Sequence, residues 1–408
     1  MYHAIIIGAR CAGSPTAMLL ARRGFKVLLL DRATFPSDTI STHILWPHGA
    51  EVLARWGLLP CLADTGVPPI CRRMTFDVGP FALHGTIPDA NDGLGGFCPR
   101  RTVLDGLLVN AAGEAGAEIR EGFTVDALLV TDGAVVGVRG HERGGQSIEE
   151  RARVVIGADG VNSFVARAVQ APEYDVRPVA ACGYYSYFSG VTQDDIELYV
   201  RDGYAFGGAP TNDGLHLVMV NWPASTFPRV RADVEGHVWR ALETAPDFVA
   251  RVRGGRREEK WYGTAGVPGY FRKPYGNGWA LVGDASYNRD PITAQGISDA
   301  FIDAESLTEA LSAALSDNGV FEELLAIHET ARNERVRPMY EFTNQLAALE
   351  PPPPEMQALF GALRGNQDAT NAFLSAITGA IPLPDFMSNE NLGRIMAAAK
   401  DVAIAERR

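Results

Sequence analysis

An α/β fold, with a parallel sheet wound by helices and a second, β-rich layer, is predicted by three features of the chain. The first is the N-terminal run Tyr2-His3-Ala4-Ile5-Ile6-Ile7-Gly8-Ala9-Arg10-Cys11-Ala12-Gly13-Ser14, apolar up to Gly8 and helical beyond it. The second is Trp279-Ala280-Leu281-Val282-Gly283-Asp284, a short buried-strand pattern that leads through Pro291 into an amphipathic helix. The third is the stretch from 179 to 220, where short strand-like runs alternate with glycine turns. A carboxylate at a strand end, followed by small residues at a helix start, suits a polar, phosphorylated cofactor.

Gly24 closes the first helix, and residues 26–30 read as a second strand ending at Asp31. This is a Rossmann-like βαβ unit: the helix N-terminus faces a pyrophosphate, and an acid about 20 residues past the last glycine bonds a ribose hydroxyl. Arg10 stands where the middle glycine of the fingerprint belongs. Residues 49–56 read as a helix, and strand-like pieces around 73–78 and 81–87 leave the first sheet for the second layer. The segment 101–117 has a helical stripe at Val103, Leu104, Leu107, Leu108 and Ala111. Three short strands then form a meander, with turns at Asp132-Gly133 and Gly144-Gly145, that closes at Val154-Val155-Ile156. Gly157-Ala158-Asp159-Gly160 follows as a tight turn, with Ser163 placed to cap the next helix.

The strands from 182 to 220 are expected to form an antiparallel sheet with one buried face, suited to binding a substrate. Residues 234–252 read as one helix, and 261–267 and 279–282 as strands returning to the first sheet. The helix from 294 to 315 carries Ile297, Ala300, Phe301, Ala304, Leu307, Leu311 and Leu315 at a 3.6-residue period. Another helix is expected from 320 to 346, interrupted at Pro338, and the proline run 351–354 is a rigid break.

Composition narrows the class. With 408 residues the chain exceeds one typical core. A formal net charge of −12 argues against a nucleic-acid binder, which needs a basic surface. Five scattered cysteines form no metal-binding or disulfide pattern and fit reduced cytosolic thiols. No apolar run approaches the ~18 residues of a membrane span. A cytoplasmic enzyme is the expectation.

The glycine loop, the Asp159 turn and Gly283-Asp284-Ala285-Ser286-Tyr287-Asn288-Arg289-Asp290-Pro291-Ile292-Thr293-Ala294-Gln295-Gly296 occur in an order that points to a flavin. On these motifs the chain resembles the FAD-dependent monooxygenases of the aromatic-hydroxylase type, within the group that includes geranylgeranyl reductases and flavin halogenases. The resemblance covers most of the chain. It implies a discontinuous FAD-binding domain (1–70, 98–175 and 265–316), a substrate-binding β-sheet domain (71–97 and 176–264) and a C-terminal helical region (317–408). Gly8, Arg10, Gly13, Asp31 and Arg32 would hold the ADP half of FAD. Arg101, in Arg-Thr-Val-Leu-Asp, would reach the phosphate or ribitol, and Asp159 would sit near FAD and the nicotinamide donor. Asp284 would bond ribitol and pyrophosphate, and Pro291, Thr293, Gln295, Gly296 and Ile297 would wrap the reactive edge of the flavin.

By the same resemblance NAD(P)H is the reductant, O2 the oxidant and a flavin C4a-hydroperoxide the oxygen donor to an aromatic or polyketide-like small molecule. His43, with His48 as second choice, is the candidate base, and Tyr185, Tyr187, Tyr204, Phe206 and Trp222 are candidate pocket walls. Alternation along strands sends only about half of such residues to a cavity. Tyr287 departs from the hydroxylase pattern, where His is frequent. No second glycine fingerprint for NAD(P)H is present, which suits a donor that docks transiently or a separate reductase. The halogenase Trp-x-Trp-x-Ile-Pro signature is replaced by Gly203-Tyr204-Ala205-Phe206-Gly207-Gly208-Ala209-Pro210. A reductase acting on a C=C bond and a non-catalytic, protective FAD-binding protein are the alternatives. The long helices after Ala294 are expected to cap the substrate sheet or to pair two subunits as a homodimer.

Overall fold

The computed structural model describes residues 1–70, 73–87, 95–316 and 321–405. Residues 71–72 and 88–94 of the expected substrate-binding segment 71–97, and 317–320 and 406–408 of the expected C-terminal region, lie outside these.

Tyr2–Ile7 and Val27–Leu30 are apolar at nearly every position because both faces of their sheet are covered. The sheet runs Tyr275–Gly276, Trp279–Leu281, Ile148–Gly157, Tyr2–Ile7, Val27–Leu30, Glu118–Arg120. All these neighbours pair in parallel except Tyr275–Gly276, which folds back antiparallel on Trp279–Leu281. Strand Ile148–Gly157 serves two structures: Ile148 to Arg151 pair with the meander strand Ala134–Glu142, and Ala152 to Gly157 with Tyr2–Ile7. Ala4, Ile6, Leu29, Val154 and Ile156 pack with residues of helices Gly13–Arg22, Arg101–Glu114 and Gly296–Ser316. The opposite face, Ile5, Ile7, Leu28, Leu30 and Val155, packs with Phe123 and Val138 of the meander and with Val165.

The second sheet runs Arg256–Arg257, Ala181–Ser189, Leu215–Pro223, Tyr204–Pro210, Ile196–Arg201, Met74–Asp77, Ala82–Gly85, with Tyr262–Thr264 also paired to Ala181–Ser189. It is antiparallel except where Ile196 aligns in parallel with Met74. Both faces are buried, not one. Tyr184, Phe188, Phe206, Val218, Val220 and Trp222 pack on Val238, Leu242, Phe248 and Val252. Tyr185, Tyr187, Leu217 and Ile196 face the C-terminal cluster of Phe360, Phe373, Leu374 and Phe386.

Two helix predictions change. Residues 234–252 form two helices, Val234–Leu242 and Pro246–Gly254, since the residue before Pro246 is pushed out of helical geometry. Phe321–Ala347 is continuous through Pro338. Its buried stripe Leu325, His328, Arg332, Val336, Tyr340, Thr343, Ala347 runs the whole length, and that packing outweighs the ~3 kcal/mol an internal proline costs. Among the described residues no helix is long and apolar enough to cross a membrane.

Candidate active site

The glycine loop is fixed by steric necessity. A Cβ on Gly13 would lie 1.7 Å from the Gly8 carbonyl oxygen, and one on Gly8 2.4 Å from that of Ala158. Gly8 also has φ +104, which only glycine adopts freely. Strand, helix and the Asp159 turn therefore meet at backbone contact. Helix Gly13–Arg22 starts with no side-chain cap and no acid in its first turn. The Ser14 N–H donates to the Arg10 carbonyl (3.0 Å) and Pro15 has none, which leaves the Gly13 N–H to face an anion.

Arg10 does not crowd this end. Its guanidinium bonds the Ser37 carbonyl (3.2 Å), Ser37 Oγ (3.0 Å), the Asp38 carbonyl (3.3 Å) and Asp105 Oδ2 (2.5 Å). Asp105, fully buried, also accepts two guanidinium nitrogens of Arg101 and the Cys11 thiol (3.4 Å). The arginine at the missing glycine thus ties the loop to the Arg101 helix. Asp105, one turn beyond Arg101, was within the motif already quoted, but a sequence does not show that it is the shared acceptor. Asp31, at the tip of Val27–Leu30, accepts the N–H groups of Ala9 (2.7 Å) and Ala33 (2.8 Å), while Arg32 is exposed.

Asp284 follows Gly283, whose φ is +61 and whose N–H donates to buried Asp303. Its neighbours Gly283 and Ala285 are buried while Asp284 itself is solvent-exposed. Its carboxylate is reached by water although protein atoms crowd it. That enclosure raises its pKa to about 6, against Arg101, which lowers it, and with Asp299, which raises it further. Gly296, the first residue of helix Gly296–Ser316, is also exposed, and a Cβ there would meet no protein atom within 4 Å.

Asp159 is engaged within its own turn. Its carboxylate accepts Ser163 Oγ (2.5 Å) and the N–H groups of Phe164 (2.6 Å) and Val165 (3.1 Å). It caps the short helix Phe164–Ala168 together with Ser163, and those bonds occupy both oxygens. Ile297 likewise packs into the core of the first sheet.

The turn Pro291–Thr293 is held on all sides. Asp290 Oδ1 caps the Ile292 N–H (3.0 Å) and Oδ2 accepts that of Ala181 (3.2 Å). Burial raises the Asp290 pKa to about 6, opposed by those two bonds. Trp46 Nε1 donates to the Thr293 carbonyl (3.0 Å), Thr293 Oγ1 bonds Thr343 Oγ1 (2.8 Å), and Gln295 Nε2 donates to the Ile377 carbonyl (3.1 Å). Thr293 and Gln295 are therefore buried anchors, and Pro291 is half-buried.

Against this turn lies a narrow apolar cavity of about 80 Å³. Leu198, Val200, Leu217 and Met219 of the second sheet line one side, Ile44 and Trp46 another, and Ile292 to Ala294, Phe342, Leu346 and Ile377 the rest. Asn221, Thr293 and Thr378 are its polar groups. Of the expected aromatic walls, Phe206 touches the cavity, but its ring stacks on Tyr199 at 4.7 Å on the other face. Tyr204 and Trp222 are corrected outright: strand alternation sends both to the face covered by the helices after Phe227. The contributions of Ile44, Trp46 and the C-terminal residues had no spacing signal, since tertiary packing alone brings them in.

Tyr185 and Tyr187 lie on the cavity side of their strand and hold His43. His43 is fully buried, has φ +64, and its Nε2 is 2.7 Å from Tyr187 Oη. Its Nδ1 is buried without a partner. Burial, with the positive charge of Arg101, lowers its pKa to about 3, so the imidazole is neutral at ordinary pH. His48 is held neutral in the same way, mainly by burial and by Arg289, at about 4. Tyr287, the departure from the hydroxylase pattern, packs in a buried cluster with Phe271 (4.8 Å) and Tyr340 (6.0 Å).

Uncapped helix, backbone-tight glycines, exposed Asp284 and unobstructed Gly296 together fit a flavin dinucleotide. The family described as FAD binding domain matches residues 1–343, and the chain belongs to it. It is an FAD-dependent oxidoreductase. Among known proteins it is 29% identical over 334 residues to the digeranylgeranylglycerophospholipid reductase of Methanosarcina mazei, covering 76% of each chain. It is 34% identical over 229 residues to Protein FixC of Salmonella typhi, covering 53% of this chain and 50% of that one. Of solved structures, the myxobacterial chondrochloren halogenase CndH aligns with TM-score 0.78 at 22% identity, over 98% of this chain and 96% of that one. PqsL of Pseudomonas aeruginosa, in complex with 2-aminobenzoylacetate, aligns with TM-score 0.70 at 23% identity, over 86% and 96%. These structural likenesses show a shared fold.

Proposed function

We propose that the chain is a monooxygenase that uses FAD, NAD(P)H and O2 to oxygenate an apolar aromatic or polyketide-like small molecule. The observation that carries this reading is the apolar cavity set directly against the Ile292 to Ala294 turn. Gly8, Gly13 and the open N-terminus of Gly13–Arg22 would take the pyrophosphate, with Arg10 and Arg101 braced on Asp105 beside it. Asp31 and Arg32 would meet the adenosine end, and Asp284 the ribitol, while Asp159 keeps its turn in shape. Pro291, Thr293, Gln295 and Gly296 would form the rim at the ring. When bound, the flavin supplies electron transfer from the nicotinamide to oxygen and delivery of an oxygen atom.

The protein's own residues exclude water and position the substrate. Leu198, Leu217 and Met219 offer apolar walls, and Asn221 and Thr378 offer the few polar contacts that set orientation. His43 is neutral, adjoins the cavity-lining Ile44 and keeps an unpartnered Nδ1, which supports it as the base candidate. PqsL, whose fold this chain shares, binds 2-aminobenzoylacetate, an aromatic compound, which supports the substrate class.

The test is NAD(P)H-dependent oxygen uptake by FAD-loaded protein against a panel of phenols and aromatic polyketides. One oxygen consumed per oxygenated product is expected for a member of the panel. Product formed without oxygen uptake would instead support reduction of a C=C bond, a reading favoured by the 29% identity to a lipid reductase. Bound flavin that NAD(P)H cannot reduce would support a non-catalytic protein.

A further inference from the structure

The shape of the cavity follows from the register of the second sheet. Ala205 lies opposite Asn221 and Val200, Gly207 opposite Met219 and Leu198, and Ala209 opposite Leu217. Paired residues share a face, so the middle strand Tyr204–Pro210 turns only alanine and glycine toward the cavity side. Bulkier residues stand on both neighbours, Leu217, Met219 and Asn221 on one and Ile196, Leu198 and Val200 on the other. The result is a trough along Tyr204–Pro210, closed over by Phe342, Leu346, Leu349 and Ile292 to Ala294. From Asn221 to Leu217 it spans four residues of strand, roughly 14 Å.

The Asn221 end adjoins the Pro291–Thr293 turn. Gly183 pairs with Asn221, and Ala181, two residues before Gly183, donates its N–H to Asp290 Oδ2 (3.2 Å). A Cβ on Gly183 would lie 2.5 Å from Asn221 Oδ1, so the amide lies across the neighbouring strand where no side chain stands. The other polar groups of the lining are engaged. Trp46 Nε1 bonds the Thr293 carbonyl (3.0 Å), Thr293 bonds Thr343 (2.8 Å), Thr378 Oγ1 bonds the Leu374 carbonyl (2.8 Å), and the Tyr199 hydroxyl bonds Glu197 on the opposite face (2.5 Å). Among the described residues the Asn221 amide has no hydrogen-bond partner, and it offers an acceptor and two donors.

The described residues that line the trough include no Asp, Glu, Lys, Arg or His. Cations beside it are already paired: Arg100, over the Tyr187 ring at 4.4 Å, with Glu259, and Arg289 with Asp299. A carboxylate carried into this space would lose its water and meet no free cation, which is a large cost. A carbonyl or hydroxyl loses far less, and one amide restores its hydrogen bond.

We infer that the cavity selects an uncharged substrate, and that Asn221 is the specificity-determining residue that orients it by pairing with one neutral carbonyl or hydroxyl beside the Pro291–Thr293 turn. Gly183 acts through Asn221 as a positioning residue. This selection rests on the proposed reading of the cavity as the substrate site. It narrows the substrate class to apolar bodies that carry a ketone, ester, amide or un-ionised phenol, and it excludes aromatic acids.

The experiment uses FAD-loaded full-length protein at pH 7 and three naphthalenes of nearly equal size, with dissociation constants from equilibrium dialysis. They are 2-acetylnaphthalene, which is neutral and polar, 2-naphthoate, which is charged, and 2-ethylnaphthalene, which has no polar group. Wild type should bind the ketone at least about tenfold more tightly than the carboxylate, since an unpaired buried charge is opposed by several kcal/mol. Asn221→Leu should weaken ketone binding about three- to tenfold, the span of one neutral hydrogen bond, and leave 2-ethylnaphthalene unchanged or tighter. Gly183→Ala should weaken the ketone similarly by displacing the amide, and should add little in an Asn221→Leu background. Damage to the fold would instead weaken all three ligands together. A ketone advantage below tenfold in wild type overturns the selection of uncharged substrates, and unchanged ketone affinity in Asn221→Leu overturns the role of Asn221. Either result leaves the cavity reading intact if Met219→Trp still abolishes binding of 2-ethylnaphthalene. Failure of wild type to bind any of the three overturns the cavity reading and the selection with it. If Asn221→Leu does not fold, Gly183→Ala decides the role of Asn221.

Discussion

Gly296 and Gly13 make opposite predictions from the same substitution. A Cβ on Gly13 would sit 1.7 Å from the Gly8 carbonyl oxygen, so Gly13→Ala must separate the first strand from its helix. The expected cost is at the upper end for point substitutions, about 4 kcal/mol or more. A Cβ on Gly296 would touch nothing within 4 Å, and the residue begins helix Gly296–Ser316. Alanine there should raise the stability of the apoprotein slightly, by up to ~0.5 kcal/mol, because it restricts the unfolded chain. The open space beside Gly296 is where the flavin ring is proposed to lie, so the same methyl group should weaken FAD binding at least about tenfold, or ~1.4 kcal/mol. Thermal denaturation of the apoprotein and fluorescence titration with FAD read the two effects separately. A Gly296→Ala protein with unaltered FAD affinity would refute the placement of the flavin at that helix. An apoprotein destabilised by more than about 1 kcal/mol would refute the reading of the space as free.

Three further outcomes are expected. Met219→Trp should fill the cavity and raise KM or abolish turnover at unchanged FAD content, whereas Trp222→Phe, on the opposite face, should leave steady-state kinetics within about twofold. Asp290 is an acid whose folded pKa is raised, from 3.8 to about 6, so its ionisation opposes folding. It costs nothing below pH ~4, and stability is lost as pH rises through ~6, up to about 3 kcal/mol. Asp290→Asn keeps an acceptor for the Ile292 N–H and should therefore gain over wild type in urea denaturation as pH goes from 4 to 7; a gain independent of pH would count against the assignment. Asp159→Ala should lower stability by about 1–2 kcal/mol through loss of the cap on Phe164–Ala168. Its Tm should fall even without FAD, and an unmoved apo Tm would contradict a capping role.

Local sequence determined what local physics determines. The run Tyr2–Ile7, the glycines at 8 and 13 and the acid at 31 could be read because a βαβ unit needs an apolar strand, a backbone-tight turn and a polar strand end in that order. The motif around Asp284 was legible for the same reason, and so was the family. Continuity of Phe321–Ala347 was not, because a buried stripe reaching across the molecule overrides a proline that propensity counts against it. Nor was the fate of Tyr204 and Trp222. Strand alternation says that neighbours face opposite ways, but only the helices after Phe227 decide which face is covered and which opens on the cavity.

His43 and Asp105 mark the division most sharply. Each could be named as a chemically able residue from its place in a motif. What each does depends on partners far along the chain: Tyr187 for the histidine, and Arg10 for the acid. The sequence by itself pointed to the cofactor and the family, because a dinucleotide is gripped largely by backbone and by residues at fixed local spacing. Only the tertiary structure decided the cavity and the surroundings of His43, because burial sets the charge state of the imidazole and long-range packing supplies its neighbours.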